Sequence, residues 1–214
     1  MKRRDFLIGA ASMLFFPQDA FAKTVVREER TFGRKQPNIV ENNLWDETET
    51  DFEPTEPYIV DTDLILMEDS MDKREVTNRL IIHHTGNMTD IDMSARDAHL
   101  LHKYEFGWAG IGYHYVIRKS GVIEAGRPEN MVGAHALSNN MDSIGIVLSG
   151  NFNIGEPTDN QMESLINLTS YLAYKYDLDL KEPGVLQGHK DVCDTECPGA
   201  NMYYRLDSVR SLTV

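Results

Sequence analysis

From residue 79 onward, short runs of apolar residues alternate with longer segments in which apolar residues recur at helical spacing. This pattern predicts strands and helices in alternation. Short apolar runs predict strands at residues 80–85, 111–119, 122–126, 143–149 and 185–189. Helical spacing predicts helices at residues 91–104, 158–176 and 202–212. This alternation indicates an α/β fold, with a single domain in which helices flank a central mixed β-sheet.

Two of these segments carry the clearest signals. The run at residues 143–149 is almost wholly apolar, which is typical of a central strand that is buried on both faces. Thr158 and Gln161 have the spacing of a capping box, and apolar residues at helical spacing follow them. The apolar stripe of that helix requires a sheet to cover it.

The first 22 residues have the composition of an export signal. A basic start precedes an apolar run of eleven residues from Phe6, and Ala20-Phe-Ala22 resembles a cleavage site, so we expect the mature chain to begin at Lys23. Arg3-Arg4 indicates the twin-arginine route, with an ordinary secretory signal as the alternative. The apolar run is too short for a membrane span, which needs about 20 residues. We therefore expect a bacterial periplasmic or secreted protein with no mature membrane span.

Acidic residues are concentrated at residues 41–76, which hold thirteen acids and two bases, Lys73 and Arg74. This segment carries −11 of the formal net charge of −13. We predict that residues 23–77 form an acidic, largely irregular arm and that residues 78–214 form the folded domain. The arm is either a solvated spacer or a strip that docks on the domain near its cleft, at least through residues 58–67. The sequence has no basic patch of the kind that would indicate a nucleic-acid partner.

Candidate metal ligands lie in two parts of the chain. His189 and Cys197 are eight residues apart in a stretch with glycines and a proline, and both residue types are good zinc ligands. His83 and His84 end the predicted strand at 80–85, where successive side chains face opposite ways, so only one of them can join the site. Two histidines and a cysteine leave a fourth position open, as catalytic zinc sites do.

Cys193 has more than one interpretation. An oxidising compartment favours a disulfide between Cys193 and Cys197. A metal-bound thiolate is less available for oxidation, so we expect Cys197 as a ligand and Cys193 as a free neighbour. A purely structural zinc site would need Cys193 as its fourth protein ligand.

These residues belong to an ordered series of short motifs between Asn78 and Gly199. The series comprises Ile81-Ile-His-His-Thr85, Gly107-Trp-Ala-Gly-Ile-Gly-Tyr-His-Tyr-Val-Ile117, Gly126-Arg-Pro128, Gly133-Ala-His135, Ser143-Ile-Gly-Ile146, Gly188-His-Lys-Asp191 and Thr195-Glu-Cys-Pro-Gly199. In this order the motifs resemble the zinc-dependent N-acetylmuramoyl-L-alanine amidases, the family that includes the T7-type lysozyme and the peptidoglycan recognition proteins.

The resemblance implies that His83, His189 and Cys197 bind Zn²⁺ at one edge of the sheet. It implies that Tyr113 and Thr195 are catalytic and stabilise the negative charge that develops on the substrate oxygen. The implied reaction is hydrolysis, by zinc-activated water, of the amide bond between N-acetylmuramic acid and L-alanine in peptidoglycan or muropeptide fragments. We expect a monomer.

Further positions resemble the surroundings of the family's cleft. Trp108, Arg127 and His135 are candidates for substrate binding, with a structural role as the alternative for each. Val147 occupies the position at which some relatives carry a glutamate as general base, so the base is not identified. A regular strand would place Tyr113 on the same face as Tyr115, and His84 would pack beneath His83 or orient it.

A recognition module that binds peptidoglycan without cleaving it is the alternative function. Non-cleaving members of the family typically replace the cysteine ligand, whereas this chain has all three ligands. This observation favours the enzyme.

Overall fold

The computed structural model describes residues 53–213, which form a mixed sheet with helices on both faces. The strands are β1 (Ile59–Val60), β2 (Arg79–His84), β3 (Tyr115–Ile117), β4 (Ile123–Ala125), β5 (Ser143–Leu148) and β6 (Leu186–Gly188). The helices are α1 (Ala95–Leu100), α2 (Asp159–Tyr176), α3 (Ala200–Tyr203) and α4 (Leu206–Leu212). The predicted α/β fold is confirmed.

The six strands lie in the order β1-β4-β3-β5-β2-β6. Only the β3–β4 hairpin is antiparallel among these pairs, and the other four pairs are parallel. β5 lies between β3 and β2 and is buried along its whole length, as its apolar composition predicts. The carboxyl ends of β2, β5 and β6 therefore meet at one edge of the sheet.

Each face of the sheet has its own apolar cluster. Leu80 and Ile82 of β2 belong to the larger cluster, which includes Leu165 and Leu172 of α2. The smaller cluster, on the face covered by α1, contains Ala95, Ala98, Ile111, Val116 and Val147. Because side chains alternate along β2, His83 points to the side of the smaller cluster and His84 to the other.

The predicted capping box at the start of α2 is confirmed. The Thr158 hydroxyl accepts from the Gln161 N–H at 3.1 Å, and the Gln161 side-chain oxygen accepts from the Thr158 N–H at 3.1 Å. The Gln161 amide also donates to the Ser149 carbonyl at 2.9 Å, which ties the start of α2 to the end of β5. The same side chain therefore caps a helix and fixes its place on the sheet.

Several predicted boundaries differ from the structure. The helix predicted at 91–104 begins at Ala95, because Ser94 and Asp97 form a capping box there, and it ends in a π-helical turn at Leu101–Glu105. The closing helix predicted at 202–212 consists of the two short helices α3 and α4. Isolated propensity does not reveal such interruptions.

The strand predicted at 111–119 is shorter than expected, since β3 begins only at Tyr115. Strict alternation does not extend back to Tyr113, which packs against the smaller cluster, whereas Tyr115 belongs to the larger one. The prediction that the two tyrosines share a face is therefore wrong. Tyr113 instead faces the side of the sheet on which His83 lies.

The described part of the predicted arm docks on the domain. β1 pairs in parallel with β4 at the outer edge of the sheet, and the Thr62 hydroxyl donates to the Ala125 carbonyl at 2.7 Å. Met67 N–H donates to the Ala109 carbonyl at 3.0 Å, beside Trp108. The solvated-spacer interpretation is therefore wrong for this part of the arm.

Two further contacts hold the arm in place. Leu64 and Leu66 pack against the smaller cluster. The Arg74 Nε donates to the Glu129 carbonyl at 2.9 Å, and the Glu129 carboxylate accepts from the hydroxyls of Tyr115 and Tyr176. This carboxylate therefore links the strand β3 and the helix α2 at the point where the arm enters the domain.

The predicted export signal lies outside the described residues. Within residues 53–213, no helix combines the length and the apolar character that crossing a membrane requires.

We predict that a chain starting at Val76 is less stable than one starting at Glu53, because it lacks β1 and the leucines at 64 and 66. The loss in the free energy of unfolding should be roughly 3 kcal/mol, the order expected for exposing two packed leucines. Urea denaturation of the two chains measures the difference. Equal midpoints would show that the arm contributes nothing to folding.

Candidate metal centre

The parallel pairing of β2 with β6 brings two histidines together. Ile82 of β2 lies opposite Gly188, the last residue of the parallel strand β6, so His83 and His189 directly follow an aligned pair. Their ring centroids are 4.4 Å apart. The carboxyl ends of parallel strands are a common place for ligand sites, and here they hold two imidazoles.

Cys197 reaches the same point through the loop that follows β6. Lys190 N–H donates to the Cys197 carbonyl at 2.7 Å, which closes the loop on itself. His84 N–H donates to the Cys197 sulfur at 3.3 Å, which fixes the sulfur beside β2. The ligand atoms of His83, His189 and Cys197 all lie within 4.8 Å of one another.

These three residues fit a zinc ion. The His83 Nδ1 and the Cys197 Sγ are 3.6 Å apart, and two such ligands on one tetrahedral zinc are separated by about 3.6 Å, given bonds of about 2.1 and 2.3 Å. A set of two imidazoles and one thiolate suits zinc better than magnesium or calcium. The donor set thus suits zinc in its chemistry, and the His83–Cys197 pair has the spacing that a tetrahedral zinc requires.

Burial sets the protonation of these groups. It lowers the pKa of His83 well below its usual value, with the neighbouring His135 and His189 adding to the shift, and it lowers the pKa of His189 as well. Both imidazoles therefore keep a free lone pair. Burial also raises the pKa of the Cys197 thiol to about 12 without a metal. A cation at this point would favour the thiolate, because it offsets the cost of burying negative charge.

His84 lies on the opposite face of β2. Its Nδ1 accepts from the Phe152 N–H at 3.1 Å, and burial lowers its pKa to about 4. The His83 ring forms its hydrogen bond with His135 and not with His84, since the His135 Nδ1 is 3.0 Å from the His83 Nε2. His84 acts on the site through its main chain, by holding the cysteine sulfur.

The two candidate catalytic residues flank these ligands. The Tyr113 ring centroid is 5.2 Å from that of His83, and burial, with Cys197 nearby, raises the Tyr113 pKa well above its usual value. The Thr195 hydroxyl accepts from the Cys197 N–H at 3.2 Å, which leaves its own proton to donate elsewhere. Both side chains are therefore neutral hydrogen-bond donors.

A cleft of about 400 Å³ opens beside the metal centre. Its lining includes four of the residues singled out from the sequence, namely Trp108, His135, His189 and Thr195, together with Cys193. The Cys193 thiol is free, as is that of Cys197.

Arg127 is absent from the lining of this cleft. Its guanidinium is buried and donates to the carbonyls of Ile111 at 2.9 Å and Val132 at 2.6 Å, and its N–H donates to the Tyr113 carbonyl at 2.8 Å. These contacts fix the segment that carries Tyr113. They correspond to the structural alternative considered for this residue.

Residues 72–200 match the model of the family described as N-acetylmuramoyl-L-alanine amidase. The chain belongs to this family.

Similar proteins include enzymes and recognition proteins. The endolysin of Escherichia phage T7 is 34% identical over 135 residues, which cover 61% of this chain and 85% of that one. The endolysin amidase LysCS from Clostridium intestinale has a similar structure, with a TM-score of 0.65 and 38% identity over 72% of this amidase and 96% of that chain. A Drosophila PGRP-LB variant in complex with tracheal cytotoxin has a TM-score of 0.61 and 30% identity, covering 70% and 93% of the two chains.

His102 is a buried neighbour of Trp108 and Tyr113 that the sequence did not single out. Its ring lies 4.8 Å from that of Trp108 and 5.4 Å from that of Tyr113, and its Nδ1 accepts from the Gly112 N–H at 3.0 Å. The only available signal was a histidine in a predicted helix. The cluster of packed rings next to Tyr113 is thus larger than the motifs indicate.

We predict that the metal-free amidase loses stability as the pH falls below about 6.5. All seven histidines have lowered pKa values, with burial as the largest cause, and those of His84, His102 and His114 are about 4. Between pH 6.5 and 4 the unfolded chain therefore binds more protons than the folded one. Each histidine contributes a loss of up to about 1.4 kcal/mol per pH unit.

Urea midpoints of the chelator-treated protein at pH 7.5 and pH 5 measure this loss. His102→Asn keeps an acceptor for the Gly112 N–H but does not titrate, so its stability should fall less steeply over the same range. A midpoint that is independent of pH in the unsubstituted protein would contradict the prediction.

Proposed function

We propose that this protein is a zinc-dependent N-acetylmuramoyl-L-alanine amidase that hydrolyses the amide bond between N-acetylmuramic acid and L-alanine. The observation that carries the proposal is the convergence of His83, His189 and Cys197, with ligand atoms within 4.8 Å of one another, beside an open cleft. The proposed substrate is peptidoglycan or a muropeptide fragment, in line with the family to which the chain belongs.

His83, His189 and Cys197 would hold the metal beside the cleft. When bound there, zinc would lower the pKa of a water molecule and would polarise the scissile carbonyl. Burial keeps His83 and His189 neutral, so neither has to lose a proton before it binds. The main-chain N–H of His84 holds the sulfur of Cys197 in position.

Tyr113 and Thr195 stabilise the negative charge that develops on the carbonyl oxygen. The raised pKa of Tyr113 keeps its hydroxyl protonated, so it donates rather than repels. Thr195 is oriented by the Cys197 N–H and presents its own proton. Donors fixed in advance at a developing oxyanion are effective because they need no reorganisation during the reaction.

Trp108 and His135 line the same cleft, and Trp108 offers an aromatic face, 39% exposed, for a sugar or a peptide. We propose that Trp108 contacts the substrate directly. Arg127 contributes indirectly, by holding the main chain at Tyr113.

We further propose that the protein acts in the periplasm or outside the cell, exported by the signal predicted at residues 1–22. The composition of that segment and the location of the proposed substrate support this proposal.

The purified protein is expected to release peptides with a free N-terminal L-alanine from peptidoglycan, which mass spectrometry of the products would detect. Cys197→Ala should lose both activity and stoichiometric zinc, since one of three ligands is removed. Binding of muropeptide by the zinc-loaded wild type without any cleavage would favour the recognition module instead.

Tyr113→Phe is expected to retain zinc and to lower the turnover number by roughly 10²–10³, because it removes one donor at the oxyanion and keeps the ring. Steady-state rates on a soluble muropeptide, with metal analysis of each sample, test this. Tyr204→Phe, at a position that is 79% exposed and outside the motifs, is the matched control and should be fully active. Full activity of Tyr113→Phe would assign the role to another group.

A further inference from the structure

The proton shared between two buried histidines decides whether His83 can bind a metal. The His83 Nε2 lies 3.0 Å from the His135 Nδ1, and the His83 Nδ1 lies on the side of Cys197. A neutral imidazole carries one N–H. If His135 supplies the shared proton, the proton of His83 is on Nδ1, where it blocks metal binding. If His83 supplies it, Nδ1 is free.

The next hydrogen bonds determine which arrangement is present. The Ser143 hydroxyl donates to the Asn139 carbonyl at 2.6 Å, since a carbonyl can only accept. The Ser143 oxygen is then the acceptor for the His135 Nε2, at a longer distance of 3.5 Å. With its proton on Nε2, His135 presents a lone pair at Nδ1. It therefore accepts from His83, whose own Nδ1 faces the cysteine sulfur without a proton.

The surroundings of His135 are built to hold this ring. A Cβ atom at Gly133 or at Gly145 would lie 2.4 Å from a ring atom of His135, so only glycine fits at either position. The Asn140 side-chain oxygen accepts from the main-chain N–H of His135 at 2.9 Å, which fixes the main chain at this residue. The motifs around residues 133–135 and 143–146 thus enclose one side chain.

We propose that His135 and Ser143 are positioning residues that hold His83 in its Nε2-protonated form, so that its Nδ1 is available to the metal. The proposal rests on the proposed function, since it takes His83 as a zinc ligand. Partners of this kind orient a ligand histidine and select its tautomer, and their loss typically lowers metal affinity or activity about 10–100-fold.

Zinc affinity, measured by competition with a chromogenic chelator, separates this role from simple packing. His135→Leu removes the acceptor, so we expect it to lower the affinity about 10–100-fold. His135→Asn places an oxygen where Nδ1 was and should recover most of that loss. Ser143→Ala should cause a smaller loss, because the Ser143 hydroxyl acts only through His135 and its contact with the His135 Nε2 is long, at 3.5 Å. Ser149→Ala, at another fully buried serine, is the matched control and should bind zinc as the wild type does.

The tautomers can be observed directly by long-range ¹H–¹⁵N NMR of the histidine rings in the zinc-loaded wild type. We expect Nε2–H in both His83 and His135. A proton on the His135 Nδ1, or equal affinities for His135→Leu and the wild type, would overturn the proposal. The NMR measurement remains decisive if His135→Leu does not fold. Failure of the wild type itself to bind zinc would instead count against the proposed function.

Discussion

The parallel alignment of β2 and β6 is the constraint on which the site depends. Two strands that run in the same direction and end side by side bring His83 and His189 together, although they are more than one hundred residues apart in sequence. Cys197 then needs only the loop after β6 and one hydrogen bond from the main chain of β2. The sheet therefore determines the geometry of the centre, and a small change in strand register would move one imidazole away from the other.

The burial of the centre governs its chemistry. Burial lowers the pKa values of the histidines and raises that of the cysteine, so every ligand is uncharged before a metal binds. The same burial raises the pKa of Tyr113 and keeps its hydroxyl a donor. One physical effect thus prepares both the metal ligands and a catalytic group. Its cost is that protonation of the histidines at low pH opposes folding.

The features that were predictable from sequence are local or depend on motifs. The capping box of α2 and the apolar run of β5 are short-range patterns, and the structure reproduces them. The interruption before β3, which changes the face of Tyr113, depends on tertiary contacts that no periodicity records. Arg127 was left with two interpretations for a similar reason, since a cation next to a motif gives no sign that main-chain carbonyls surround it. The docking of the arm was difficult to predict, because β1 is only two residues long and lies in a segment rich in acidic residues.

That short strand has a consequence for assembly of the fold. β4 is paired on one side by β3, and without β1 its other side would be an open edge available to a strand from another molecule. The partners Thr62 and Ala125 are 63 residues apart, so the edge is covered only after a long loop has closed. During synthesis the segment around β1 emerges well before its partner exists. Until β4 has been synthesised, the acidic residues around β1 would keep this segment soluble and would disfavour its pairing with a second copy of the chain.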